Sequence, residues 1–328
     1  MQHAKWGKFD WQVSRLSFGA SALGGAFRSI DESEGIQAVH AALDAGINYI
    51  DVAPAYGATR AETVLGMALK GVKRDRYHIS TKVGKLTDPE AYGNNTFDYS
   101  RQGIRDSLEK SMRRTGVDYF DIVHLHDFDY DHRIHADEAL SQGVEALLEL
   151  KSEGTIGGIG AGIYPMDLWK RVLLEADVDA VLIRNQHCLT DIRIHELLPL
   201  AKAKGVGVIN ASPFASSFLT GRPLPAWHPA EETESELVTK AVSFCEKNGT
   251  TLAKLALQFS SQHPEIPTTL FSSARPESIA RNLQWYQEPY DPELVARVQQ
   301  ILEPVMNKQW DYDAAAEKLK EKINHDTD

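Results

Sequence analysis

The sequence predicts a (β/α)8 TIM barrel of the α/β class, and three observations carry that prediction. Short β-branched or apolar runs alternate with helical patterns along the whole chain of 328 residues. The helical pieces space their apolar residues by three and four, and several close on glycine, at Gly46, Gly71, Gly116, Gly154 and Gly205. Neither a long linker nor a shift of composition divides the chain, so residues 1–328 are expected to form one barrel domain, a fold that takes about 250 residues before additions.

The units follow in order. "RLSFGA" leads into "SEGIQAVHAALDAG", "NYIDVA" into "AETVLGMALKG", "YHISTKV" into "RQGIRDSLEKSMRRTG", and "YFDIVHL" into "ALSQGVEALLELKSEG". "IGGIGA" then precedes "PMDLWKRVLLEA", "DAVLIRN" precedes "IHELLPLAKAKG", "VGVINAS" precedes "LAKLALQFSSQ", and "PTTLFSS" precedes "PESIARNLQWY". Three additions surround them. "HAKWGKFDWQVS" reads as a hairpin across one end, and residues 213–250 read as a long loop with its own helix, "SELVTKAVSFCEKNG". "PELVARVQQILEPV" and "DAAAEKLKEKI" read as two further amphipathic helices. A doubly wound sheet is the rival topology, but its phosphate fingerprint fits poorly: "GASALG" has Ser21 where the second glycine belongs, and "GIGAGIYP" lacks the third and runs into Pro165.

Composition narrows the function. Lys and Arg total 35 against 46 Asp and Glu, a formal net charge of −11, which disfavours nucleic acid as a partner. The basic stretch Lys70 to Arg76 reads as a solvated helix end. The sequence has no apolar run of membrane-spanning length and no secretory leader pattern at its start, so a cytoplasmic protein is expected. Cys188 and Cys245 are too few for a disulfide framework and read as reduced thiols.

Chemistry on such a barrel belongs at the C-terminal ends of the strands. Asp51 follows "NYI", Tyr56 sits in the next loop, Lys82 follows "YHIST" and His126 follows "DIVHL". A phenol has an ordinary pKa of about 10, and a nearby ammonium would stabilise the phenolate and lower that value. A buried lysine needs an anion, which Asp51 can supply, and a neutral histidine can orient the oxygen of a carbonyl or alcohol. The set reads as a proton-transfer site for interconverting C=O and CH–OH, which requires a hydride donor or acceptor.

"INYIDVAPAYGATRAETVLGMALKG", "RYHISTKVGK", "DYFDIVHLHDF", "VINASPFASSFLTG" and "SSARPESIARNL" resemble the aldo-keto reductase family over nearly the whole chain. The resemblance implies a catalytic tetrad of Asp51, Tyr56, Lys82 and His126, with Tyr56 as general acid/base. His126 is preferred to His124 because alternation puts the last strand residue at the mouth. "FGASALGGAF", "HLHDF", "GVGVINASPFA", "PAWHPA" and "ILEPVMNKQW" are similar to the L-galactose dehydrogenase type of aldose 1-dehydrogenase. That implies oxidation of the C1 of an aldose such as L-galactose or L-fucose to a lactone. The alternative is NADPH-dependent reduction of aldehydes and ketones.

The resemblance implies cofactor contacts at Ser212, Pro213, Phe214, Leu219, Gly221, Ser273, Arg275, Ser278 and Asn282. Ser272 and Ser278 stand where reductases demanding NADP carry cations, which argues for NAD, with Arg275 leaving NADP possible. The chain departs from the family at its nicotinamide contacts: Gly162 and Ile163 replace Ser-Asn, Ile183 or Arg184 precedes Asn185 and Gln186 where a Gln belongs, and Ala211 replaces an aromatic residue. Loop positions nominate Leu23, Phe27, Phe128, Arg184, His187 and Trp227 for the substrate, a small sugar or carbonyl compound. No metal ligand is expected, although "HLHDFDYDHRIH" offers a metal-dependent hydrolase as a weaker rival, and a non-catalytic cofactor-binding subunit is another. A monomer or small homo-oligomer is expected.

Overall fold

The computed structural model describes residues 1–25, 30–87, 95–225, 227–312 and 314–315. Eight parallel strands close into a barrel: β1 (Leu16–Gly19), β2 (Tyr49–Asp51), β3 (His78–Val83), β4 (Ile122–His126), β5 (Ile159–Gly162), β6 (Ala180–Arg184), β7 (Gly207–Ala211) and β8 (Thr268–Ser272). Each pairs with the next, and β8 closes on β1 with Phe271 opposite Phe18 and Ser272 opposite Gly19. The strands are buried on both faces, since helices cover the outside and side chains fill the lumen, and so they read as apolar runs.

The lumen is packed by Tyr49, Ile122, Ala180, Leu182, Ile209, Ala211 and Leu270, and its N-terminal end is plugged by Trp6. Trp6 lies between the antiparallel strands His3–Lys5 and Gln12–Ser14, so the expected hairpin exists and closes that end. Its ring stacks on Phe9 at 4.6 Å and meets Trp11 and Tyr49 edgewise or tilted at 4.9 and 5.4 Å. The turn is fixed by contact with β7. Gly7 has φ +53° and would place a Cβ 2.9 Å from the Cα of Gly207, so no larger residue fits there. Because Trp6 is only 1% exposed, Trp6→Ala is expected to cost about 3–5 kcal/mol. Urea unfolding with an unchanged m-value would read this loss, and a loss below about 1 kcal/mol would mean the plug is dispensable.

A second apolar layer joins the strands to the surrounding helices, among them Glu32–Asp44, Arg60–Leu69, Arg101–Thr115 and Met166–Glu175. A separate cluster forms beside the mouth from Glu232–Lys247, Leu252–Gln262, Pro292–Ile301 and the loop residues Phe218 and Leu219, capped by Trp310 and Tyr312. The helix expected within 213–250 is thus present, as is the first of the two C-terminal ones. Most of "DAAAEKLKEKI" lies outside the described residues.

Two features depart from the sequence reading. A short hairpin, Lys85–Thr87 with Asn95–Phe97, projects from the end of β3. The stretch Lys70 to Arg76 is not simply solvated: Arg74 reaches Asp121 at 2.6 Å, and that carboxylate also accepts the Ile79 amide at 2.7 Å and faces His78 Nδ1 at 2.8 Å. The cation serves to hold the start of β3 against β4.

Candidate functional site

The C-terminal strand ends open into a cavity of about 860 Å³. Asp51 at the end of β2 and Lys82 in β3 meet on its floor, 2% and 1% exposed. Lys82 Nζ donates to Asp51 Oδ2 at 2.5 Å and to the Val52 carbonyl at 3.0 Å. The other Asp51 oxygen accepts from Ser80 Oγ at 2.7 Å, and Ser80 in turn accepts from the Tyr49 hydroxyl at 2.7 Å. Burial works against the Lys82 charge, but the Asp51 carboxylate and then the Tyr56 phenol outweigh it and hold the ammonium above its usual pKa.

Tyr56 is carried back over this pair by the loop after β2. Backbone bonds from Tyr56 to Ala53 and from Thr59 to Pro54 tighten the turn, and Gly57, at φ +61°, packs on Gly24. A Cβ on Gly24 would sit 2.6 Å from the Tyr56 carbonyl, so backbone meets backbone there. Lys82 Nζ lies 4.7 Å from the centre of the Tyr56 ring, and His126 meets that ring edge-on at 6.1 Å. The expectation that Lys82 would bring the phenol below its ordinary pKa is corrected. Burial raises the Tyr56 pKa, and the pull of Lys82 in the other direction does not offset it.

His126 closes β4 and is 6% exposed, with its carbonyl accepting from the Tyr99 hydroxyl at 2.5 Å. Burial, reinforced by Lys82, Lys85 and Arg184, lowers its pKa to about 3 despite Asp127, so the imidazole is neutral. His124 lies deeper in the same strand, fully buried and outside the cavity wall. Among the described residues, no group of three His, Cys, Asp or Glu side chains could share a metal ion.

A second arm of the cavity runs between the loop after β7 and the N-terminus of the helix Pro276–Gln287. Ser212, Ala215, Ser216 and Ser217 all have positive φ, and Ser212, Pro213, Phe214, Ser216 and Ser217 line the wall. Successive backbone amides in such a conformation form an anion-binding concavity, and a helix N-terminus adds to it. Ser273, Arg275, Ser278 and Asn282 line the far end. This chemistry fits the pyrophosphate and adenosine of a nicotinamide dinucleotide.

Of the residues that depart from the family at the expected nicotinamide positions, Gly162, Ile163, Arg184 and Ala211 face the cavity, whereas Gln186 donates to the Tyr164 carbonyl at 2.5 Å and Asn185 to the Tyr312 hydroxyl at 2.7 Å. Leu219 and Gly221 are not part of the wall: Leu219 is buried in the apolar cluster beside the mouth and Gly221 is exposed. Of the substrate nominees among the described residues, only Arg184 lines the cavity. Leu23 and Phe128 are wholly buried between strands and helices because they point outward. His187 is turned outside the barrel toward His195, Phe259 and His263. Trp227 packs beside His228, 6.1 Å away, and does not reach the cavity wall. Phe27 lies outside the described residues. Among the cavity residues that sequence reasoning missed are Lys85, Asp127 and Tyr130. The adjacency of Asp127 to His126 was the one signal available.

The comparisons agree with this geometry. Residues 15–303 match the family model described as "Aldo/keto reductase family". The chain is 35% identical over 313 residues to the L-galactose dehydrogenase of Arabidopsis thaliana, covering 93% of this chain and 95% of the relative. It is 30% identical to a D-threo-aldose 1-dehydrogenase of a Pseudomonas species, covering 83% and 89%. An aldo-keto reductase from Bacillus halodurans, solved in its holo form, superimposes with a TM-score of 0.77 at 26% identity, covering 95% of this chain and 99% of that one. With the matched family model spanning most of its length and the eight strands closed into a barrel, the chain belongs to the aldo/keto reductase family.

Proposed function

We propose that this enzyme oxidises C1 of an aldose of the L-galactose or L-fucose kind to a lactone, with Tyr56 as general acid/base and NAD as the preferred acceptor. The observation that carries the proposal is the buried Asp51–Lys82 pair beneath Tyr56, with a neutral His126 facing the same phenol. A C1 hydroxyl held between Tyr56 and His126 accepts a hydrogen bond from the imidazole N–H and gives its proton to the phenolate. A bound nicotinamide supplies the hydride acceptor. Lys82 stabilises the phenolate, and Asp51 keeps Lys82 charged and in place. The similarity to L-galactose dehydrogenase and D-threo-aldose 1-dehydrogenase supports the sugar.

NAD is favoured by the surroundings of Arg275, whose guanidinium has Glu277 at 3.8 Å and Glu34 at 4.0 Å. Those carboxylates oppose a 2′-phosphate, and Ser272 accepts the Ala22 amide at 2.8 Å instead of offering a cation. Carbonyl reduction is the second reading, favoured by the raised Tyr56 pKa, which keeps the phenol in its proton-donating form.

A panel of L- and D-aldoses with NAD and NADP, followed by nicotinamide absorbance, tests the proposal. An L-aldose is expected to give the highest kcat/KM, with NAD ahead of NADP by about tenfold or more. Turnover of simple aldehydes alone would sink the sugar reading, and equal use of both cofactors would sink the NAD preference.

A further inference from the structure

We infer that Lys85, Asp127, Tyr130 and Arg184 form a subsite for the hydroxyl next to the reacting carbon of a polyhydroxylated substrate. The inference rests on the aldose reading above and adds the residues that would select such a substrate.

The backbone turns sharply at Asp127, the residue after β4, which has φ +51° and donates its N–H to the Gly162 carbonyl at 2.9 Å. This left-handed turn puts the carboxylate in the cavity wall beside His126, with Asp127 Oδ2 3.6 Å from His126 Nε2. Lys85, brought in by the hairpin after β3, donates to the same oxygen at 2.7 Å and stands 4.2 Å from the centre of the Tyr130 ring. Burial would raise the Asp127 pKa, but the imidazolium that His126 becomes at low pH, together with Lys85 and Arg184, holds it well below the usual carboxylate range, so the group is an anion. Its Oδ1 meets no donor among the described residues.

Arg184 faces the same space from β6. Its guanidinium lies 5.3 Å from the centre of the Tyr164 ring and 4.9 Å from that of Tyr312, and Nη2 reaches the Tyr130 hydroxyl at 3.4 Å. Among the described residues it has no carboxylate within ion-pair distance, and its buried Nε has no acceptor. The aromatic rings fix the plane of the group, and among the described residues only Nη2 has an acceptor, the Tyr130 hydroxyl.

A carboxylate only accepts hydrogen bonds and a guanidinium only donates them, whereas a hydroxyl does both. Asp127 beside Arg184 therefore suits a hydroxyl that donates to one and accepts from the other. A substrate carboxylate would meet Asp127, an ammonium would meet Lys85 and Arg184, and an alkyl chain would strip water from all three charges without replacing it. Because Asp127 stands beside the imidazole that faces the reacting oxygen, the hydroxyl concerned is the one on the adjacent carbon, C2 of an aldose.

The test compares an aldose with its 2-deoxy counterpart in the unmodified enzyme and in Asp127→Asn and Arg184→Met. Asn keeps the shape and tolerates the left-handed backbone, and Met keeps much of the bulk. In the unmodified enzyme the 2-deoxy sugar is expected to lose about tenfold to a hundredfold in kcat/KM, as for a hydrogen bond to a charged group. In each variant that penalty is expected to shrink to about threefold or less, because the hydroxyl has lost a charged partner. A merely structural role would slow both sugars alike and preserve the penalty, and that outcome overturns the subsite. Equal use of both sugars by the unmodified enzyme, or preference for a uronate over the neutral aldose, also overturns it. Failure of the unmodified enzyme to oxidise any aldose would instead remove the functional reading beneath it.

Discussion

Tyr56→Phe is expected to lower kcat for aldose oxidation by about 10²–10⁴, the range that a positioned proton-transfer group supplies. The substitution removes one oxygen and keeps the ring that packs under His126 and over Lys82, so the barrel should fold normally. Cofactor affinity should change little, because the candidate dinucleotide groove follows β7 and β8 while Tyr56 follows β2. The pH profile supplies an independent readout. Oxidation needs the phenolate, and burial holds the phenol above its usual pKa, so little of the base form exists at neutral pH. Oxidation kcat/KM should therefore rise with a slope of about one per pH unit toward alkaline pH, while reduction, which uses the protonated form, stays flat across the same range. The Phe variant should lose the rise. Turnover within about tenfold of the unmodified enzyme would remove Tyr56 from the mechanism.

The second large effect is expected at Lys82. Lys82→Met retains most of the stem but leaves Asp51 buried with only Ser80 as a partner. Breaking a buried pair from one side costs about 3–5 kcal/mol, because the remaining charge is uncompensated or must take up a proton. Activity should fall by about 10²–10⁴ as well, since the phenolate loses the cation that stabilises it. Adding Asp51→Asn separates the two losses. The double variant should recover much of the stability in urea unfolding, because no lone charge is left, and recover none of the turnover. Recovered turnover would mean that Lys82 acts only by packing.

The barrel and the positions of Asp51, Lys82 and His126 were legible because both depend on strand periodicity: a strand residue's parity fixes whether it faces the lumen, and its place at the strand end fixes its height. Beyond the strand ends that logic stops. Phe128 is nominated because it follows a strand end, but the left-handed turn at Asp127 redirects the chain and the ring joins the apolar layer outside the barrel. His187 fails for the same reason, after a left-handed Asn185. The Lys85–Asp127 pair depends on a hairpin of three-residue strands, too short to leave a periodic signal. The direction of the Tyr56 shift depends on a contest between burial and Lys82, and sequence shows the participants without their relative weight.

The contact between Gly7 and Gly207 also bears on the order of events when the chain is made. The residues it joins are 200 positions apart. At about 5–20 residues per second, synthesis separates them by some 10–40 seconds. During that interval Trp6 can meet Phe9, Trp11 and Tyr49 but not β7, and β1 has no β8 beside it until residues 268–272 emerge. The residues made first therefore wait for partners made much later, and the N-terminal hairpin can complete its seat only once β7 has been made.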